Sequence, residues 1–341
     1  MKSRERVLRL LAHQPIDRMA VFSGMGNVTV HGLNKYGWHF AEIHTDPQKM
    51  AQVAASTFEM FGFECAVVPF DMGVEAEALG SKVNFYTGHQ DILYPTISHH
   101  LAERVVEIDL QIPEDLSGAG RIPVVTQALG ILKKELGNEV AIGSWILGPY
   151  TLAGQLVDIS DLAKSVFKKA ELVDELLAKL SQVIIRLASI YRSAGADYIT
   201  IREMGAGPDI LSPRLFEKMI LPHLKVIFSK IGSPNILHIC GDTNAIVEQM
   251  YLSNADAISV EKRNDIALTR KKLGPEAIIL GNIDGYNTLC KGTPSDVEVE
   301  VKEAIYRGVS SIWPGCDIWP EVPKANMEAL VSTTEKYGKM G

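Results

Sequence analysis

Asn235-Ile236-Leu237-His238-Ile239-Cys240-Gly241 is a short apolar run carrying two polar side chains one residue apart. Side chains alternate across a strand, so His238 and Cys240 share one face while Leu237 and Ile239 take the other. The run reads as a strand that delivers an imidazole and a thiol side by side to its C-terminal end. One more soft ligand would make a three-coordinate zinc centre with an open fourth position, the arrangement of catalytic zinc. Cys316, in Trp313-Pro314-Gly315-Cys316, supplies that ligand if the fold joins the two stretches. The competing reading is a buried histidine beside an inert core cysteine, and the fold decides between them.

Working outward, seven more apolar, β-rich runs bracket this one: Met19–Gly24, Glu64–Pro69, Val140–Trp145, Asp197–Arg202, Ala257–Glu261, Ala277–Gly281 and Val309–Trp313. With Ile236–Cys240 they make eight predicted strands. Helical patterns separate them, the clearest over Pro47–Met60, Asp161–Ala194, Pro213–Ile231 and Pro294–Arg307. Asp46-Pro47, Ser212-Pro213 and Thr293-Pro294 each place a capping side chain before a first-turn proline. Alternating strands and helices predict an α/β fold with a parallel sheet. Eight such units fit a closed (β/α)8 TIM barrel better than an open doubly wound sheet, and no GxGxxG follows the first strand. Residues 72–120, between the second and third strands, read as an insertion over the barrel mouth. No linker or shift of composition divides the chain, so residues 1–341 are expected to form one domain.

The chain has 341 residues, 46% of them hydrophobic, and a formal net charge of −7, which argues against a nucleic-acid-binding surface. Four cysteines with no CxxC pair suit a reducing, cytoplasmic compartment better than a disulfide framework. Cys65 and Cys290 have no partner residues nearby in sequence and read as inert core thiols. No run of some 18 or more apolar residues signals a membrane span. The basic opening, Met1 to Arg6, leads into an amphipathic helix ended by His13-Gln14-Pro15.

His238-Ile239-Cys240-Gly241-Asp242 with the distant Pro314-Gly315-Cys316 resembles the zinc signature of corrinoid-dependent methyltransferases in the uroporphyrinogen decarboxylase superfamily. The resemblance extends along the chain through His44-Thr45-Asp46-Pro47, Gly148-Pro149-Tyr150-Thr151-Leu152-Ala153, Ala255-Asp256-Ala257-Ile258-Ser259-Val260-Glu261 and Gly281-Asn282-Ile283-Asp284. Among its branches the chain resembles the methylcobamide:coenzyme M methyltransferases of methanogens, and that resemblance implies a (β/α)8 barrel. The decarboxylase branch fits less well. Its arginine-rich segment after the first strand is replaced here by Ser23-Gly24-Met25-Gly26-Asn27-Val28-Thr29-Val30.

The resemblance implies zinc on His238, Cys240 and Cys316, and a corrinoid (cobalamin) carried by a partner protein. A substrate thiol in the open position would lose its proton near neutral pH and attack the methyl group on cobalt. The expected acceptor is a thiol such as coenzyme M. The alternative is an O-demethylation that passes methyl from a methoxylated aromatic to Co(I), with zinc as Lewis acid on the methoxy oxygen. A non-catalytic module that binds a corrinoid protein is a third reading, for which three soft ligands would have no use.

Ile201-Arg202-Glu203-Met204 departs from the aspartate-proline of coenzyme M enzymes. Glu203 could be a displaceable fourth zinc ligand or orient substrate; equally it could pair with a cation such as Lys262. Asp242 could orient His238, or cap a helix from Asn244. Asp284 could bind substrate, or shape the turn at Gly285. Trp145, Tyr150, Trp313 and Trp319 lie near strand ends and could line an aromatic pocket, with packing as the plainer reading. Tyr150 could also donate to a substrate oxygen.

Overall fold

The computed structural model describes residues 1–340. Seven strands, β1 (Cys65–Val68), β4 (Ala141–Leu147), β5 (Tyr198–Arg202), β6 (Asn235–Ile239), β7 (Ala257–Val260), β8 (Ile279–Ile283) and β9 (Ser311–Pro314), form one sheet in the order β1-β4-β5-β6-β7-β8-β9. Every pairing in it is parallel. Every residue of these strands is buried. That explains why they read as continuous apolar runs: helices or side chains cover both faces. Two short strands between β1 and β4, β2 (Lys82–Asn84) and β3 (Thr96–His99), pair antiparallel as a separate hairpin.

The run Met19–Gly24, expected as a strand, is extended but makes only an isolated bridge between Val21 and Ile312. It nevertheless spans the gap between the edge strands. Ile312 N donates to Ala20 O at 3.1 Å and Phe22 N to Ile312 O at 3.3 Å, while on the other side Glu64 N donates to Val21 O at 2.9 Å. A regular ladder fails because side chains take the backbone donors. Val21 N goes to the Glu64 carboxylate at 2.8 Å and Ser23 N to Cys65 Sγ at 3.2 Å.

The predicted caps form: Asp46, Ser212 and Thr293 accept from Lys49 N, Leu215 N and Asp296 N, so a side chain satisfies an orphan first-turn donor. Pro294–Arg307 has the expected bounds, and Pro47–Phe61 runs one residue further than expected. Two expected helices are broken. Asp161–Ala194 is two helices, Ile159–Lys168 and Ala170–Ala194, hinged at Lys169 with φ −145°. Pro213–Ile231 becomes a first turn, a π-helical turn over Phe216–Ile220 and a helix over Leu221–Phe228. Pro222 accounts for the second break, since it lacks an N–H and its ring crowds the carbonyl four residues back. No helix among the described residues is long and apolar enough to cross a membrane.

Candidate metal centre

Parallel register places Arg202 beside His238 and His238 beside Ser259, so β5, β6 and β7 present one row of polar side chains across the sheet. All three are buried. His238 Nδ1 lies 3.0 Å from Ser259 Oγ. When Nε2 serves as a ligand, Nδ1–H donates to that hydroxyl, which fixes both ring and tautomer. Burial, and then the Arg202 cation, hold the imidazole well below its ordinary pKa, so it stays neutral and free to bind a metal.

Cys240 stands one residue past β6, where Gly241 turns the chain with φ +85°. That left-handed conformation calls for glycine, whereas the side-chain ends of Arg263 and Asp209, 2.8 Å from where a Cβ would lie, are exposed and can move aside. Cys316 stands two residues past β9. Gly315 brings it in, because a Cβ at 315 would lie 3.1 Å from both Glu261 Cα and Ile283 O. Those turns join the two distant stretches. His238 Nε2 is 3.1 Å from Cys240 Sγ, and Cys240 Sγ is 3.3 Å from Cys316 Sγ. The three ligand atoms lie within 4.8 Å of one another. In the metal-free protein, the neighbouring Cys316 thiol and burial hold Cys240 protonated, its pKa well above the ordinary thiol range. One neutral imidazole and two thiols fit zinc in kind and number, and a cation would remove the mutual opposition of the two sulfurs.

Cys240 and Cys316 open into a cavity of about 740 Å³. Arg202, Glu261, Lys262, Asp284, Asp317 and Trp319 contribute to its wall, and Tyr94 to Ile97 reach it from the β2–β3 hairpin segment. Met72, Tyr94, Tyr286 and Trp319 are exposed around it, with Tyr286 and Trp319 rings 4.8 Å apart.

Other expected site residues stand elsewhere. Glu203 is wholly buried and caps the helix Pro149–Leu156: its carboxylate accepts from Tyr150 N at 3.0 Å and Thr151 N at 2.8 Å. Both its oxygens are engaged, so it is neither a fourth ligand nor paired with Lys262, which bonds Glu300 at 2.7 Å. Burial raises its pKa to about 7. Asp242 accepts from Asn244 N at 3.1 Å in an exposed turn, and Ser259 takes the place beside His238 that Asp242 was expected to fill. No helix starts at Asn244; the next begins at Val247. Asp284 reaches the cavity wall but spends its carboxylate on Tyr286 N at 3.0 Å and Asn287 N at 2.8 Å, shaping the turn after β8.

Trp145, Tyr150 and Trp313 are fully buried and do not line the cavity, whereas Trp319 does. Register explains the tryptophan on β4: Trp145 pairs with Thr200, two residues below the level of Arg202. Its ring lies under the Arg202 guanidinium at 4.5 Å. Trp313 packs edge-on against Phe22 at 5.1 Å. The Tyr150 hydroxyl is buried without a hydrogen-bond partner, and burial raises its pKa to about 12. Cys65 is the inert core thiol expected, its pKa pushed up to about 11 by burial.

Sequence reading missed Ser259, Arg202 and Asp317. Aligning the ends of β5, β6 and β7 would have found the first two, since in-register strands put them level with His238. Asp317 carries no such signal; its place depends on the loop after β9.

The model of the family described as uroporphyrinogen decarboxylase (URO-D) matches residues 2–337. Among curated proteins, the methylcobamide:CoM methyltransferase MtaA of Methanosarcina barkeri is 31% identical over 97% of this chain and 97% of its own length. The methylcobamide:CoM methyltransferase MtbA of Methanosarcina acetivorans is 31% identical over 98% of each. A solved structure described as a methyltransferase from Methanosarcina mazei superposes with a TM-score of 0.93 at 31% identity, covering 99% of both chains. With a match over nearly its whole length, and with relatives of this identity that are methyltransferases, the chain belongs to the uroporphyrinogen decarboxylase (URO-D) family.

Proposed function

We propose that this protein is a zinc-dependent methyltransferase that moves a methyl group between the cobalt of a corrinoid protein and a small substrate, by default a thiol such as coenzyme M. The observation that carries this reading is the meeting of His238 Nε2 with the sulfurs of Cys240 and Cys316 on the cavity wall at the C-terminal ends of the strands. Such ends are where barrels of this class do their chemistry. The reading takes the fold as one domain, a closed (β/α)8 barrel with residues 19–24 as its first strand and residues 72–120 as an insertion over the mouth. It places the work in the cytoplasm, with a corrinoid protein as partner.

His238, Cys240 and Cys316 would hold the metal, with Ser259 orienting the imidazole through Nδ1. Bound there, zinc would supply Lewis acidity that releases the proton of a substrate thiol near neutral pH. The cavity would admit the substrate sulfur to the three ligands and leave its exposed rim for the partner. Transfer to the substrate sulfur would form an S–C bond and break the Co–C bond, whose electron pair would stay with the corrinoid, the thiol proton having left to solvent.

A second reading reverses the direction, with a methoxylated aromatic giving its methyl group to Co(I). The aromatic rim of Tyr94, Tyr286 and Trp319 favours it, because flat side chains suit a flat substrate. One experiment separates the two: metal analysis of wild type and Cys316→Ala, followed by absorbance of a methylcorrinoid with coenzyme M. Zinc that is lost in the variant, together with thiol-dependent loss of the methylcobalt band, supports the first reading. Zinc without that reaction, but with methylation of Co(I) by a methoxyarene, supports the second. No zinc in the wild type sinks both.

A further inference from the structure

Arg202 is the one cation of the cavity wall that is buried, at 3% exposure. Its guanidinium carbon stands over the Trp145 ring, 4.5 Å from the centroid, so the indole holds the cation in place. Only Nη2 has partners: Asp317 Oδ2 at 2.7 Å and Met204 Sδ at 3.3 Å. Nε is buried with no partner at all, and no hydrogen bond reaches Nη1 among the described residues. A buried guanidinium with unspent donors is costly unless something completes it.

The Asp317 oxygen that Arg202 binds is also 3.9 Å from Cys316 Sγ. A carboxylate oxygen therefore already sits between the cation and the sulfur cluster. Asp317 is about two-fifths exposed and stands on the loop after β9, so its carboxylate has room to turn to solvent when another anion takes its place on Arg202. Its oxygen marks where an anionic group of a bound molecule would fall, a short spacer away from the metal ligands.

We propose that Arg202 anchors a negatively charged group of the substrate, so that the cavity selects small molecules with a sulfonate or carboxylate at one end and the reacting sulfur or methoxy group at the other. Asp317 holds the cation in the empty protein and yields it when such a molecule binds. Which end reacts rests on the function proposed above; the anion site does not. A sulfonate or carboxylate presents two oxygens to the guanidinium edge and engages the donors that Asp317 leaves free.

Calorimetry on the purified protein tests this with two matched pairs: mercaptoethanesulfonate against mercaptoethanol, and para-methoxybenzoate against methoxybenzene. Wild type is expected to bind the charged member of the productive pair about 10–100-fold more tightly, the range for a hydrogen-bonded charge. Arg202→Met should erase that preference while the neutral member keeps its affinity within about threefold, the span of ordinary context effects on one contact. Arg202→Lys should restore only part of it, because a point charge lacks the planar fork. Should Arg202→Met fail to fold, Asp317→Asn decides: removing the resident carboxylate should tighten the charged member alone. A preference that survives Arg202→Met, equal losses for both members, no effect of Asp317→Asn, or no preference in wild type each overturns the proposal. If only the methoxyarene pair binds, the thiol reading fails while the anion site is still tested.

Discussion

The two ends of the parallel sheet treat buried polar groups in opposite ways. At the N-terminal ends, charge is spent on partners. Glu64, just before β1, accepts from Arg6, from Arg18 at 3.0 Å and from Val21 N at 2.8 Å. Asp197, before β5, takes Arg4 at 2.8 Å, Lys133 at 2.6 Å and Ile142 N at 3.0 Å. Although burial opposes it, Arg4, Lys133 and the Ile142 amide hold the Asp197 carboxyl below its ordinary pKa. Asp256, before β7, ties down Asn235 N at 2.7 Å and Ser233 Oγ at 2.9 Å. At the C-terminal ends, valences are left open: two thiols facing one imidazole, the bare Nε of Arg202, and the bare Oε2 of Glu75, whose other oxygen receives Leu147 N at 3.0 Å. One end closes the fold and the other is built to receive something. Both use buried polar side chains, so burial alone does not set them apart; the grouping of three ligand atoms and an unspent guanidinium donor at one cavity does.

Cys316→Ala is the hardest blow to the open end. Methyl transfer should fall to the background of the free reactants and bound zinc should be lost, while the urea midpoint of the metal-free protein stays put, as metal analysis and denaturation together would reveal. Glu64→Gln strikes the closed end instead. Arg6 and Arg18 keep Asp17 and Glu335 but lose a buried partner, which should lower stability by about 1–3 kcal/mol, and transfer activity should persist below the midpoint. If the two variants exchange phenotypes, the division between the ends is wrong. Ser259→Ala should weaken metal binding about 10–100-fold without displacing the ligands, read by competition with a chelator. An unchanged affinity would mean that His238 needs no outer partner.

The smallest effect concerns Glu75. Burial raises its carboxyl pKa to about 7 from the ordinary 4.5, so between those values the folded protein holds a proton that the unfolded chain has given up. Between those values the native state binds more protons, and stability therefore falls as pH rises through the window. The contribution is fully present below 4.5 and is lost above about 7. Glu75→Gln should reduce the slope of that part of a pH–melting-temperature profile, leaving the share of Glu203, and leave the acid side unchanged. An identical slope in the variant would show that Glu75 is already ionised.

Much of the sheet was legible because parallel strands buried on both faces leave continuous apolar runs, and all seven paired strands lie within two residues of their expected bounds. Met19–Gly24 was harder, since side chains of Glu64 and Cys65 replace its ladder partners. His238 and Cys240 were legible as neighbours because a two-residue spacing on a strand is local geometry. The fates of Glu203, Trp145 and Trp313 were not, because depth along the sheet depends on register between strands far apart in sequence. Glu203 looked available at a strand end until the helix Pro149–Leu156 presented two amide donors to it.

By itself, then, the sequence determined which residues are chemically capable: an imidazole and a thiol on one face, a third soft ligand held in reserve, and alternating strands and helices to carry them. Those follow from side-chain chemistry and from periods of two and 3.6 residues, which act over a few neighbours. Only the tertiary structure decided that Cys240 and Cys316, 76 positions apart, meet at 3.3 Å, that Ser259 rather than Asp242 stands behind His238, and that Arg202 faces the same cavity. The reason is physical: such meetings are set by strand register and by close backbone approach at Gly315, interactions that no local stretch of chain contains.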